Sequence, residues 1–144
     1  MAAILIGLGE ATRELAKLAV IGDQAGGNAV RAAGATIGAE MEARAPELSD
    51  ELEGSIGRSV HMRHIDDNTA EVGTNHGLAP TFEYGGEITP TRKRVLASQE
   101  QGIVFGRLVT VPAQPFVRPA VDESIGDAAD AAQRAAANTV LKRT

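Results

Sequence analysis

Almost all of the rigid and aromatic material in this chain sits in two segments, Ala79-Pro-Thr-Phe-Glu-Tyr-Gly-Gly86 and Pro112-Ala-Gln-Pro-Phe-Val-Arg-Pro-Ala-Val-Asp-Glu123. They hold two of the three Phe, the only Tyr and most of the six Pro. With aromatics at 3%, the core has to be built from Ala, Leu, Ile and Val, so large side chains can anchor packing at these two places and almost nowhere else. The arrangement points to rigid joints that serve assembly rather than catalysis.

At 144 residues the chain has the size of one domain, spanning 1–144 and long enough to bury a core without covalent staples. Residues 87–111, between the two segments, read as an arm. Cysteine is absent, which excludes a disulfide framework, a thiolate nucleophile and a Cys-based metal site. The net charge of -5 argues against a dedicated nucleic-acid binder, because phosphate affinity comes mainly from clustered Lys and Arg. The exception, Arg92-Lys93-Arg94, reads as a solvated edge that discourages strand pairing. Met1-Ala-Ala-Ile-Leu-Ile-Gly7 lacks a basic leader and falls short of the roughly 20 apolar residues that span a bilayer, so no membrane association is expected.

Ala3 to Ile6, closed by Gly7, reads as a short strand. From Leu8 the period changes: Leu8, Ala11, Leu15 and Leu18 recur at helical spacing, which predicts an amphipathic helix to about Ala19 and a break at Gly22-Asp23. A second helix fits Gln24 to Arg44, with Val30, Ala33, Ile37 and Met41 as its stripe and Pro46 as its stop. Gly26, Gly27, Gly34 and Gly38 lie within it, and each costs roughly 0.5 to 1 kcal/mol relative to Ala, so packing must hold this helix.

Gly54 to Ile65 reads as a strand with Ile56, Val60 and Met62 inward, Asp66-Asp67-Asn68 as a turn and Thr69 to Gly73 as the return strand. Ala79 to Tyr84 predicts one helical turn stopped by Gly85-Gly86. Glu87 to Gln101 is polar and irregular, whereas Ile103 to Val111 is strongly strand-like, so Arg94 to Ala97 is expected to pair with it across Gln99-Glu-Gln-Gly102. Pro119 suits a first helical turn, and a last helix should run to about Leu141 with Val117, Val121, Ile125, Ala128 and Ala132 as its apolar stripe. The sum is an α+β fold: a small, mainly antiparallel sheet packed by an N-terminal helical pair and a long C-terminal helix, with a projecting hairpin arm.

Candidate chemistry is sparse. His61 and His64, followed by Asp66 and Asp67, invite a metal reading, but positions three apart on a strand point to opposite faces, so no metal is expected there. Glu83 and Glu87 have no His, Lys or nucleophile placed beside them by any motif. Neither a nucleophile elbow, a phosphate-cradling loop nor a His-Glu-x-x-His pair occurs. Neither an enzymatic activity nor a cofactor is expected.

The order Gly7-Leu8, an Ala-rich helix ending Ala45-Pro46, Leu52-Glu-Gly-Ser-Ile56, Val72-Gly73, Glu83-Tyr84-Gly85 and Pro115-Phe-Val-Arg-Pro-Ala120 resembles the tail-completion proteins of long-tailed bacteriophages. These are also called tail-terminator, neck or head-to-tail joining proteins. The most specific elements are the aromatic-Glu-x-Gly segment and the Pro-Phe-x-Arg-Pro-Ala segment at the head of the last helix. Two departures stand out: Glu47-Leu48-Ser49-Asp50 where the family often has Gly after the Ala-Pro turn, and Leu78-Ala-Pro-Thr-Phe82 in place of a tyrosine-rich approach to Glu83.

The resemblance implies a structural virion protein of tail or neck, made in the bacterial host cytoplasm. It would form a ring, expected to be hexameric, at the head-proximal end of the tail tube. Its partners would be copies of itself, the major tail tube protein and the head-tail connector or stopper, with DNA passing through the lumen without specific binding. Six subunits would carry roughly -30 charges, and an acidic lumen lets DNA slide. Phe82, Tyr84 and Phe116 are expected as packing anchors at or beside a subunit interface, together with Gly85, Pro115 and Pro119, and Arg118 as a polar contact with Glu83 as its partner. Arg92, Lys93, Arg94, Phe105 and Arg107 would belong to the contact arm. The alternatives are a capsid-side connector or stopper and a small host ligand-binding or regulatory module, the latter predicting a pocket and dimers.

Overall fold

Helix formers run without a proline from Ala2 to Arg44, and in the computed structural model this whole stretch is one α-helix, α1. The structure describes residues 2–46, 56–89, 96–98, 103–106 and 108–143. The expected strand at Ala3 to Ile6 is therefore helical, because a four-residue apolar run has no periodicity that separates strand from buried helix. The expected break at Gly22-Asp23 is also absent. Glycine lowers helix propensity but keeps its N–H and tolerates helical dihedrals, so without a proline the hydrogen-bond ladder continues. The N-terminal helical pair is thus a single rod, ended where Ala45 N–H bonds the Glu42 carbonyl at 3.3 Å just before Pro46.

After a buried Ile56, residues Gly57–Ser59 form one 3-10 turn. Strands β1 (Val60–Asp66) and β2 (Thr69–Thr74) then pair as a hairpin. Its turn is held by the Asn68 N–H on Asp66 Oδ1 at 2.8 Å. The expected strand from Gly54 starts late, because Ile56 to Ser59 turn; Gly54 itself lies outside the described residues. Helix α2 (Ala79–Tyr84) forms where a single helical turn was predicted. Strand β3 (Gly86–Ile88) follows, then β4 (Leu96–Ser98), β5 (Ile103–Gly106), β6 (Val109–Val111) and helix α3 (Val117–Leu141).

The described sheet structure is three two-stranded pieces, so the fold is α+β, helices with small antiparallel sheets. Leu96↔Gly106, Ala97↔Val104 and Ser98↔Ile103 pair across the expected hairpin, with a bulge between Leu96 and Ala97; its turn, Gln99 to Gly102, lies outside the described residues. Strand β6 falls in the stretch read as strand-like, but its partner β3, paired as Gly86↔Val111, Glu87↔Thr110 and Ile88↔Val109, was hidden where the sequence reads as a glycine stop and an irregular segment. Three-residue strands with one Ile and one Glu carry too little alternation to be recognised alone.

The chain gathers into two compact units, one from Met1–Thr36, Arg63–Glu71 and Gly126–Thr144, the other from Ile37–Met62 and Val72–Ile125. In the first, small residues bring backbones together. Ala25, Gly34 and Ala128 are buried. A Cβ on Gly26 would lie 2.7 Å from Asn68 Oδ1, and one on Gly27 would lie 3.3 Å from the Asp67 carbonyl oxygen, so the hairpin turn rests where α1 has no side chains. Asn28 Nδ2 donates to Thr139 Oγ1 at 2.8 Å, tying α1 to α3, and the Thr139 hydroxyl donates in turn to the Ala135 carbonyl.

In the second unit Ile56, Ala79 and Phe116 form the core, with Ala45, Phe82 and Val117 packed against it. Met41, on the predicted stripe of α1, is also buried. Leading into and along α3, Phe116, Ala120 and Ser124 are buried, one residue away from the predicted Val117, Val121, Ile125 series, whereas Ala128, a member of the predicted stripe, is buried as expected. Ser124 escapes a hydrophobicity reading because its hydroxyl, buried, donates to the Ala120 carbonyl at 2.5 Å. Ile125 is left 61% exposed. Leu15 and Leu18, on the predicted N-terminal stripe, are exposed as well, at 66% and 58%.

Candidate functional site

The two segments that dominate the sequence meet in the second unit, where the end of α2 adjoins the start of α3. Proline at the first helical positions and the His76 carbonyl, which accepts the Ala79 N–H at 3.0 Å, start α2. Gly85 ends it with φ of 75° and ψ of 163°, an extended positive-φ conformation essentially confined to glycine, which costs other residues about 1–3 kcal/mol. An added Cβ there would lie 3.0 Å from Ala113 N and 3.4 Å from the Val111 carbonyl oxygen. The Gln114 N–H bonds the Phe82 carbonyl at 2.6 Å, so the approach to α3 is stitched to α2 by its backbone.

Glu83 completes the joint. Its Oε2 accepts the backbone N–H of Phe116 at 2.7 Å and of Val117 at 2.9 Å, and its Oε1 accepts that of Arg118 at 3.2 Å. Pro119 has no N–H to satisfy, and Ala120 N–H makes the first intrahelical bond, to the Phe116 carbonyl at 3.2 Å. Every donor at the start of α3 is thereby accounted for, by a carboxylate from another helix in place of a local cap. Burial pushes the Glu83 carboxyl up, but the three backbone N–H groups and the nearby Arg118 charge outweigh it and hold the pKa below the ordinary value.

The site residues fall into distinct environments. Phe116 is completely buried, Phe82 is half-buried on the core, and Pro119 is half-buried in the first turn of α3. Pro115 and Arg118 are exposed, and the contact between Glu83 and Arg118 runs through the Arg118 backbone rather than a side-chain ion pair. Tyr84 is 82% exposed. Arg92, Lys93, Arg94 and Arg107 lie outside the described residues, and Phe105 lies in β5, where only the backbone is described. Glu87 is exposed on β3.

One contact had no sequence signal. Arg44, at the end of α1, bonds Glu40 at 2.6 Å and forks onto Glu123 of α3 at 2.6 and 3.3 Å. These side-chain bonds raise the Arg44 pKa, Glu40 contributing most and Glu123 next. His61 and His64 are exposed on β1, and His61 Nδ1 lies 3.0 Å from the Ser59 carbonyl. Among the described residues no group of three or more potential ligands is placed to hold a metal, and no helix is long and apolar enough to cross a membrane.

The first unit contains a polar cleft of about 650 Å³, whose lining includes Arg31, Lys142 and Arg143, Asp23 and Asp67, and the Asn138 amide. The chain matches no protein-family model, no curated protein and no solved structure.

Proposed function

We propose that this protein is a ring-forming structural subunit of a phage tail or neck, which terminates the tail tube and joins it to the head connector. One observation carries the reading: the two most specific segments of the resemblance, Phe82-Glu-Tyr-Gly85 and Pro115-Phe-Val-Arg-Pro-Ala120, come together in one joint, locked by the Glu83 carboxylate. Such a joint positions a projecting arm, since β3 and β6 leave it side by side. It also presents Tyr84, an amphipathic ring of the kind enriched at protein interfaces, to solvent. The acidic balance suits a lumen through which DNA slides.

The test is the mass of the purified protein by light scattering, together with negative-stain images. Closed rings, expected to be hexameric, support the reading; a monomer or dimer at all concentrations, including on purified tail tubes, removes it. The polar cleft of about 650 Å³ favours a second reading, a small ligand-binding module, because its size falls in the range of small-molecule sites. That reading requires a dimer or monomer whose melting temperature rises with an added small ligand.

A further inference from the structure

We infer that an apolar groove on α1, lined by Arg13, Ala16, Lys17, Val20, Ile21 and Arg143, receives the Ile125 face of α3 from a second copy of this chain. The inference rests on the ring reading, and it names the surfaces through which neighbouring subunits would meet.

The groove, about 560 Å³, lies on a part of α1 that its own fold leaves bare. Residues 12–20 are exposed throughout, Val20 at 53%; Leu15 and Leu18 are exposed too, but helical spacing puts them on the side of α1 away from Val20 and outside the groove. At 1.5 Å per residue α1 is about 65 Å long and α3 about 37 Å. Where α3 ends, beside Asn28 and the residues around it, α1 runs on toward its N-terminus. An exposed stretch of helix draws little stability from propensity alone, and apolar surface in water calls for a cover.

Charge selects the occupant. Three cations, Arg13, Lys17 and Arg143, border an apolar floor. Lys17 is partly neutralised by Glu14 at 2.7 Å, while Arg13 and Arg143 have no carboxylate partner among the described residues. The complementary surface is on this same chain. From Pro119 to Gln133, α3 carries Asp122, Glu123, Asp127 and Asp130 and no Lys or Arg. Glu123 is engaged by Arg44, but Asp122 and Asp130 are exposed and unpaired among the described residues; helical spacing puts Asp122 beside Ile125 and Asp130 at the far edge of the exposed side. Between them Gly126, where an added Cβ would meet nothing within 4 Å, and Ala129 leave room for another helix to approach.

Groove and Ile125 face are different surfaces of one chain, so each copy offers both halves of the contact, and repeating it about an axis of order above two closes a ring. That is the symmetry a tail ring requires.

Because the chain has no cysteine, single cysteines report contacts cleanly. Val20→Cys and Ile125→Cys proteins, both altered at exposed positions, would be purified separately, mixed, and treated with a short bismaleimide. The inference expects the mixed crosslink to dominate, with little product from either protein alone. Val20→Glu should raise the dissociation constant of self-association at least about tenfold at unchanged melting temperature. Arg13→Glu should weaken assembly in the same way, and Asp122→Lys on the partner copy should restore it.

A wild-type protein that forms rings while the mixture gives no Val20–Ile125 crosslink overturns this contact and leaves the ring reading standing. Crosslinking of Val20→Cys to itself as the main product overturns it in favour of a two-fold α1 pair. A wild-type chain that stays monomeric overturns both.

Discussion

The carboxylate of Glu83 holds the backbone N–H of Phe116 at 2.7 Å, across 33 positions of sequence, and so makes the start of α3 dependent on α2. Two segments that neither pack nor cap by themselves become one joint. The chain leaves α2 through β3 and returns through β6, and that bond and its two companions to Val117 and Arg118 bracket the two ends of this excursion.

Replacing Glu83 with Ala should cost about 1–3 kcal/mol, since three backbone donors at a helix start lose a charged acceptor. Glu83→Gln, which retains one carbonyl oxygen but turns an amide NH2 toward those donors, should recover only part of the loss. Urea midpoints of the three proteins at pH 7 check the ranking.

The same bond sets a pH dependence. The folded-state pKa of Glu83 is depressed, so its contribution is fully present above the unfolded value, about 4.3, and is lost as pH falls through the folded value. Wild type should lose stability on acidification below about pH 4.3 more steeply than Glu83→Gln, whose side chain does not titrate. Denaturation midpoints measured from pH 3 to pH 7 check this; parallel curves would count against it.

Gly85→Ala should destabilise by at least about 1–2 kcal/mol, because a Cβ is disfavoured at φ of 75° and would also press on the Ala113 backbone at 3.0 Å. Gly126→Ala, in open space within α3, should be neutral or slightly stabilising by the usual helix propensity. Thermal melts of the two proteins separate backbone strain from a general intolerance of added methyls.

Phe116→Ala should cost about 3–5 kcal/mol, enough to unfold a marginal core that has few other large side chains. Near-ultraviolet circular dichroism and a thermal melt would register the loss.

Tyr84→Ala removes a side chain that is 82% exposed, so the folding stability should hold within about 0.5 kcal/mol of wild type. The proposed function expects the assembly to weaken all the same. Light scattering across a dilution series, read beside the melt, distinguishes an interface residue from an inert one.

Much of the fold was legible in local pattern: Ala79–Tyr84 as a helical turn, the β1–β2 hairpin around Asp67-Asn68, the β4–β5 hairpin, and a last helix running to Leu141. The two segments that form the joint were legible too, because prolines and aromatics are so unevenly distributed along the chain. The continuous α1 was harder, since Gly22-Asp23 resembles a break by propensity and only the uninterrupted hydrogen-bond ladder shows that it is none.

Composition, periodicity and the placement of Pro and Gly are local quantities, and they were enough for the α+β class, most element positions and the two rigid segments. The tertiary structure alone assigned partners: Glu83 to the backbone of Phe116, Val117 and Arg118, Arg44 to Glu123, Gly26 and Gly27 to the hairpin turn, and solvent to Leu15, Leu18 and Ile125. The reason is physical. A helical stripe shows that a side chain is apolar, but burial, capping and close approach depend on which other part of the chain arrives there, and that is settled by packing.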